Sequence, residues 1–308
     1  MAVTALQAQT DSVLQRIFLV GDAGEIKSGK HQTLDLLRSI FPIDDKRNTV
    51  IYLGDNIYPS GLPDDDATDY LKRKPILDTQ INLVKNTEAR AYIIPGNHDW
   101  MQGKPGGWRQ VVHQSRYVEA LGLANVNFIP QNGCPGPVEI QLGDGIVLIA
   151  VDSQWWLEQE ARPGATSDCD CKSESEVIVT LKDLLYRNRD KLVLFAAHHP
   201  FRSHGIHGGY YTFKQHIFPL TDIKPQFYLP LPVIGSLYPI IRGGFGNVQD
   251  LKHPNYKDFT SQVDEVLSTH PYCIRVSGHE HSLQYLVDND QNYIVSGAGS
   301  KSTRVKGN

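Results

Sequence analysis

The chain has 308 residues, of which 40% are hydrophobic, 9% aromatic and 21% charged, values that exclude collagen, coiled coil and wholesale disorder. Thirty basic against 34 acidic side chains leave a net charge of −4, with no basic excess to hold a nucleic-acid backbone. No apolar run approaches the roughly 20 residues that span a bilayer.

In chain order, Met1–Thr10 lacks the basic start and sustained apolar stretch of an intact signal peptide. The small residues around Ala5 and Ala8 read as a cleavage-region remnant, a tag scar or a frayed terminus. Short apolar runs then alternate with amphipathic stretches, the pattern of an α/β protein. Strands are predicted at Ile17–Val20, Thr49–Leu53, Ala91–Ile94, Val126–Ile129, Val138–Leu142, Ile146–Val151, Leu192–Ala196 and Tyr272–Val276. Helices are predicted at Lys30–Ile40, Asp69–Lys85, Trp108–Leu121, Val177–Arg189 and Phe259–Leu267, with Pro75 expected to kink or divide the second. Gly143-Asp144-Gly145 and Asp288-Asn289-Asp290 read as hairpin turns. Periodicity disappears from His199 to His253, a segment far longer than most connections in a compact domain. Its aromatics, Tyr210, Tyr211, Phe213, Phe227 and Tyr228, predict an ordered, packed lid. No linker divides the chain, so it reads as a segment 1–16 followed by one domain, 17–308.

Four cysteines are too few for a disulfide framework. Cys134 lies in a Gly/Pro-rich loop, and Cys169 and Cys171 in a polar one, so a bridge from Cys134 to either is open to the chain. Cys273, in an apolar run, reads as a free buried thiol. A zinc site from Cys169 and Cys171 is disfavoured, because no second cysteine pair accompanies them.

Five strands end in polar clusters: Gly21-Asp22-Ala23-Gly24, Gly54-Asp55-Asn56-Ile57-Tyr58, Gly96-Asn97-His98-Asp99, Ala197-His198-His199-Pro200 and Gly278-His279-Glu280-His281. Alone, a Gly-Asp is a turn and a single His a satisfied surface or core residue. Open α/β sheets, however, gather ligands at the carboxyl ends of their strands. Oxygen and imidazole donors without thiolate suit first-row transition metals. The reading is a dinuclear metal centre.

With Ser277–Tyr285 and Ser296–Gly299 added, the sequence resembles the calcineurin-like metallophosphoesterases from about Ile17 to Ser300. Within them it is most similar to the small, tartrate-resistant type of purple acid phosphatase. The resemblance implies an α/β sandwich of two mixed β-sheets flanked by helices, with the metals at one edge. Gly24 stands where the general pattern has a ligand His, and Tyr58 supplies a replacement. Asp22, Asp55, a Tyr58 phenolate and a bridging hydroxide carry four negative charges, which a trivalent plus a divalent ion match better than two divalent ions. By resemblance Asp22, Tyr58 and His281 bind Fe(III), and Asp55 bridges. Asn97, His198 and His279 bind a divalent Fe, Zn or Mn. His98 and His207 contact phosphate and protonate the leaving group, with His204 competing for the role of His207. His199 falls on a non-ligand position. His31, His113, His216, His253 and His270 are read as structural.

The implied activity is acid hydrolysis of small phosphomonoesters by a metal-bound hydroxide, the alternative being a phosphodiesterase or nucleotide pyrophosphatase on the same centre. Retention of every ligand argues against a non-catalytic binding module, and Gly24 with Tyr58 against a protein phosphatase of the calcineurin kind. No nucleic-acid partner and no membrane span are expected in this chain. Location is expected to be secreted or periplasmic. The family continues into further strands near where this chain stops, so the stop at Asn308 reads either as an artificial boundary or as the edge of one module in a longer, exported protein. The 199–253 loop is longer than the small type carries, and substrate choice is therefore not inherited.

Overall fold

The computed structural model describes residues 13–211 and 246–306, together with 214, 217, 218, 220, 226–231 and 236. Most of the N-terminal segment, the centre of the predicted lid, Phe213 and His216 therefore lie outside the described residues. Two sheets form the frame. The first has the order β1-β2-β3-β4 and is parallel throughout, from β1 (Arg16–Val20), β2 (Asn48–Leu53), β3 (Arg90–Ile94) and β4 (Val126–Phe128). The second is mixed, with the order β5-β6-β7-β8-β10-β9. It contains β5 (Val138–Gly143), β6 (Ile146–Ala150), β7 (Leu192–Ala196), β8 (Cys273–Ser277), β9 (Leu283–Asp288) and β10 (Gln291–Ser296). Both predicted hairpins are antiparallel pairs, β5 with β6 and β9 with β10, while β6, β7, β8 and β10 run parallel.

Strand β2 shows why the sandwich forms. All six of its residues are buried, and the alternation divides them between two cores. Ile51 and Leu53 face the second sheet with Ile94, Leu148, Leu194 and Val276, whereas Val50 and Tyr52 face the helices with Leu77, Ile81 and Val111. A strand buried on both faces needs the continuous apolar run seen here rather than polar alternation.

The helices are α1 (Gln32–Ile40), α2 (Tyr70–Ile81), α3 (Gly107–Ala120), α4 (Ser153–Leu157), α5 (Glu174–Arg187) and α6 (Pro254–Leu267). Ser173 caps α5 by accepting from the Glu176 N–H, and Asp152 caps α4 through the Trp155 N–H. Helix α6 begins five residues earlier than the periodicity predicts, because His253 caps it and Pro254 occupies its first position. Pro75 does not divide α2. The carbonyl it leaves without an intrahelical donor belongs to Leu71, a residue 81% exposed, so the loss falls at the surface and not in the core. Of the loop aromatics named above, all but Phe213 are among the described residues. Phe227 and Tyr228 are more than half exposed, with Phe218 and Lys214 against the Tyr228 ring.

Cys134 is bonded to Cys169, with their Cα atoms 5.5 Å apart, while Cys171 and Cys273 are free and buried. Among the described residues no helix is long and apolar enough to cross a membrane.

Candidate metal centre

The five polar clusters follow β1, β2, β3, β7 and β8, all at the carboxyl ends of parallel strands. Three of the site residues hold left-handed backbone: Asp22 (φ 58°), Asp55 (φ 55°) and His279 (φ 66°). Such conformations are costly for side-chain-bearing residues and persist where the surrounding structure over-determines them, commonly at functional sites.

On one side, Asn97, His198 and His279 converge. The Asn97 Oδ1 lies 3.0 Å from His198 Nε2 and 3.1 Å from His279 Nδ1, and the two ring nitrogens are 3.2 Å apart. The tautomers follow from the opposite ring atoms. His198 Nδ1 donates to the Leu53 carbonyl at 2.7 Å, and His279 Nε2 donates to the Gln249 carbonyl at 2.8 Å. A carbonyl only accepts, so each ring places a proton there and, when it carries that proton alone, turns a bare lone pair toward the other. Burial, then the imidazoles of His207, His199 and His198, hold His279 well below the usual imidazole range and keep it neutral. Asp55 Oδ1 adds a further acceptor 3.3 Å from His198 Nε2. Four acceptor atoms facing one another in a dry site call for a cation. Their spacing fits one, since adjacent donors about 2.1 Å from an octahedral ion lie about 3 Å apart.

The other side is built by Asp22, Tyr58 and His281. The Tyr58 hydroxyl donates to Asp22 Oδ1 at 2.9 Å and lies 3.1 Å from His281 Nε2, which is itself 3.4 Å from Asp22 Oδ1. Burial, followed by the charges of Asp22 and Asp55, pushes the Tyr58 phenol well above its usual range. Burial opposes protonation of His281, but the hydrogen bond and charge of Asp22, with Asp55 behind it, win and raise it. Gly24 makes this side possible. A Cβ there would meet the Tyr58 N at 2.8 Å and its Cδ2 at 2.9 Å, so a larger residue at 24 and the observed Tyr58 exclude each other.

Asp55 lies between the two groups, accepting the His98 N–H at 2.9 Å. Burial would raise its carboxyl, yet His198 and His98 outweigh burial and hold it low. Among the described residues, Asp22, Asp55 and His198 form one cluster able to hold an ion, and His198, His199 and His279 another. His199 has both ring nitrogens engaged, with Ser153 Oγ at 2.8 Å and Gln249 Oε1 at 2.6 Å, so it serves as a positioning residue.

Two histidines stand at the margin. His98 Nδ1 donates to the Pro59 carbonyl at 2.6 Å, and the ring stands edge-on to Tyr58. The His207 ring centroid is 4.0 Å from that of His279, and its Nδ1 lies 2.8 Å from Asp250 Oδ1. His204 is placed elsewhere, its ring 5.4 Å from Tyr210 and its N–H on Gln284. Of the histidines read as structural, His31 caps α1 and donates to the Ala23 carbonyl, His253 caps α6, and His270 bonds the Asn188 carbonyl. His113 pairs with Asp65.

Sequence reasoning missed Gln249 and Asp250, whose backbone and side chains contact His199, His207 and His279. It also missed Glu280 as the anchor of the His207 loop, accepting from Ser203 Oγ at 3.0 Å and the His207 N–H at 2.9 Å. A buried acid between two candidate ligands was the available signal for Glu280. Gln249 and Asp250 lie within the aperiodic stretch and offered none.

The sequence matches the calcineurin-like phosphoesterase family over residues 15–297, the span that holds every residue of the centre. The chain is a calcineurin-like phosphoesterase. Its family implies a dinuclear metal site, and the donor set fits one. The phosphoesterase is 23% identical over 256 residues to human tartrate-resistant acid phosphatase type 5, across 82% of this chain and 61% of that protein. It thus spans less than two thirds of that relative. Among solved structures, GAP50, the anchor in the inner membrane complex of Plasmodium, shares the fold at 13% identity and a TM-score of 0.51, covering 95% of this chain and 75% of its own. A phosphopantetheinyl hydrolase from Mycobacterium tuberculosis aligns over 92% of this chain and 90% of its own at 13% identity and a TM-score of 0.39.

Proposed function

We propose that this phosphoesterase is an acid phosphatase acting on small phosphomonoesters with Fe(III) and a divalent Fe, Zn or Mn. The Tyr58–Gly24 pair carries the reading: a phenol replaces a neutral imidazole donor, and the glycine is what admits it. Burial and two carboxylates oppose ionisation of that phenol, so only a cation of high charge density would draw out its proton. Asp22, Tyr58 and His281 would hold Fe(III), Asp55 would bridge, and Asn97, His198 and His279 would hold the divalent ion. The distant likeness to tartrate-resistant acid phosphatase supports the same assignment.

When bound, the ions supply Lewis acidity that neutralises phosphate charge and activates water in mild acid. The chain's own groups complete the chemistry. With Nδ1 of His207 held by Asp250, its Nε2 is left to bind phosphate oxygen or protonate the leaving group. His98 has Nδ1 held by Pro59 and Nε2 3.2 Å from the Gln102 amide, so it would take the same role by exchanging Gln102 for phosphate. The Cys134–Cys169 bond supports a secreted or periplasmic setting, where disulfides persist.

Aerobically purified protein is expected to contain iron and to show a broad visible charge-transfer band that Tyr58→Phe removes. p-Nitrophenyl phosphate should be hydrolysed much faster than bis(p-nitrophenyl) phosphate. A colourless protein holding two zinc ions would overturn the iron assignment, and a faster diester would favour a phosphodiesterase.

A further inference from the structure

Lys301 belongs to a turn held against the same loop that carries Asp22. The Gly299 N–H donates to the Gly21 carbonyl at 3.0 Å, Ser300 Oγ to the Asp22 carbonyl at 2.6 Å, and Thr33 Oγ1 to the Gly299 carbonyl at 2.6 Å. This anchoring brings the Lys301 ammonium 3.6 Å from the centroid of the Tyr58 ring. It lies close enough to the centre that its charge is felt by His281. Next to it is a cavity of about 240 Å³ whose walls include Glu25, Lys27, Lys30, Thr33, Ser300 and Lys301. Three ammonium groups against one carboxylate gather there, in a chain whose net charge is −4. Glu25 lies 3.8 Å from the Lys27 ammonium and 4.0 Å from that of Lys301. Lys27 Nζ also donates to the Ser300 carbonyl at 3.2 Å. An ammonium has three donors, and surface pairs of this length hold it loosely, so Lys27 and Lys301 keep donors able to take an anion. No part of the proposed dinuclear chemistry uses this cavity.

We infer that Lys301, with Lys27 and Lys30, forms a subsite for a second anionic group on the substrate, so that the site favours bisphosphorylated small molecules over simple monoesters. The inference rests on the phosphatase reading and names its substrate class. Lys301 is the link, because one edge of its reach is the Tyr58 ring and the other the cavity. The ammonium groups act by charge and hydrogen bonding, with no covalent step.

The test compares kcat/KM for fructose 1,6-bisphosphate with that for fructose 1-phosphate in the metal-loaded enzyme. The wild type should prefer the bisphosphate. Lys301→Ala should cut that preference about tenfold, the scale of one charge contact, mainly through KM, and Lys301→Arg should restore much of it. Lys27→Ala should act in the same direction. Equal losses on both sugars, or an unchanged ratio, would overturn the subsite. Titration of fructose 1,6-bisphosphate into metal-free protein at low salt gives a second readout, with binding expected to weaken in Lys301→Ala. If the metal-loaded enzyme hydrolyses neither ester, the phosphatase reading fails. The titration then decides the subsite alone: equal binding by wild type and Lys301→Ala overturns it, and weakened binding supports it.

Discussion

His207 and His204 lie three positions apart, yet their side chains have different neighbours. The Asp250 carboxylate accepts from His207 Nδ1–H and fixes the ring beside His279, whereas His204 rests on Tyr210. A side chain that transfers a proton typically contributes roughly 10²–10⁴-fold in rate. His207→Ala should therefore lower kcat within that range while both metals stay bound, and His204→Ala should cost much less. Asp250→Asn keeps an acceptor but removes the charge, so its loss should be smaller than that of His207→Ala. Steady-state kinetics with metal analysis checks all three. The losses should shrink for nitrophenyl esters, whose leaving groups need little protonation. Equal losses at 204 and 207 would make His204 the better candidate.

At the scale of elements, the turn Ser203–Gly209 is positioned by a carboxylate on the loop after β8. Glu280, fully buried, accepts from Ser203 Oγ and the His207 N–H, and Gly205 lies directly on it. A Cβ at Gly205 would fall 2.1 Å from the Glu280 Cδ and 2.3 Å from its Oε2. Gly205→Ala must displace either the turn or the carboxylate, an overpacking that typically costs about 1–3 kcal/mol. The expected result is a lower melting temperature and a kcat reduced toward that of His207→Ala, with metal content unchanged. Normal turnover in this variant would show that the turn does not need Glu280 to place His207. The same principle explains the short helix α4, which escapes periodicity because five residues complete hardly more than one turn. It matters to the site nonetheless, since Ser153 at its start bonds His199.

Across the whole molecule, two features connect stability to conditions. The Cys134–Cys169 bond closes a loop of 35 positions that includes β5, β6 and α4. Replacing both cysteines by serine should cost about 2–4 kcal/mol, measured by denaturant unfolding. The second feature is Asp152, buried at the start of α4, where it accepts from the Trp100 indole and from the Trp155 backbone N–H. Burial away from water pushes its carboxyl up to about 8, against the opposing hydrogen bonds from Trp155 N–H and the Trp100 indole. The folded form thus keeps a proton that the unfolded chain releases near its ordinary carboxylate value. The resulting stabilisation is complete below about pH 4 and disappears as pH rises through about 8. In metal-free protein, the melting temperature of Asp152→Asn should fall less between pH 5 and 8 than that of the wild type, by roughly a few degrees. Identical slopes would show that Asp152 is ionised throughout.

What the sequence determined by itself was local. Apolar runs of strand length, each followed by a polar turn, placed β1, β2, β3, β7 and β8 and the donor-bearing ends after them, because side-chain alternation and turn chemistry act over a few residues. Tyr58 in place of the histidine absent at 24 was legible only through the resemblance to the family's motif. Contacts between distant positions were decided only by the tertiary structure. Cys134 meets Cys169 rather than Cys171, two residues further on, because the loop before α5 presents the first of them and buries the second beside Thr180. The ring nitrogens left to face an ion are chosen by carbonyls of Leu53 and Gln249, which approach His198 and His279 from another strand and another loop. A ring nitrogen's tautomer is set by whichever acceptor lies across from it, and that acceptor is a property of the folded chain.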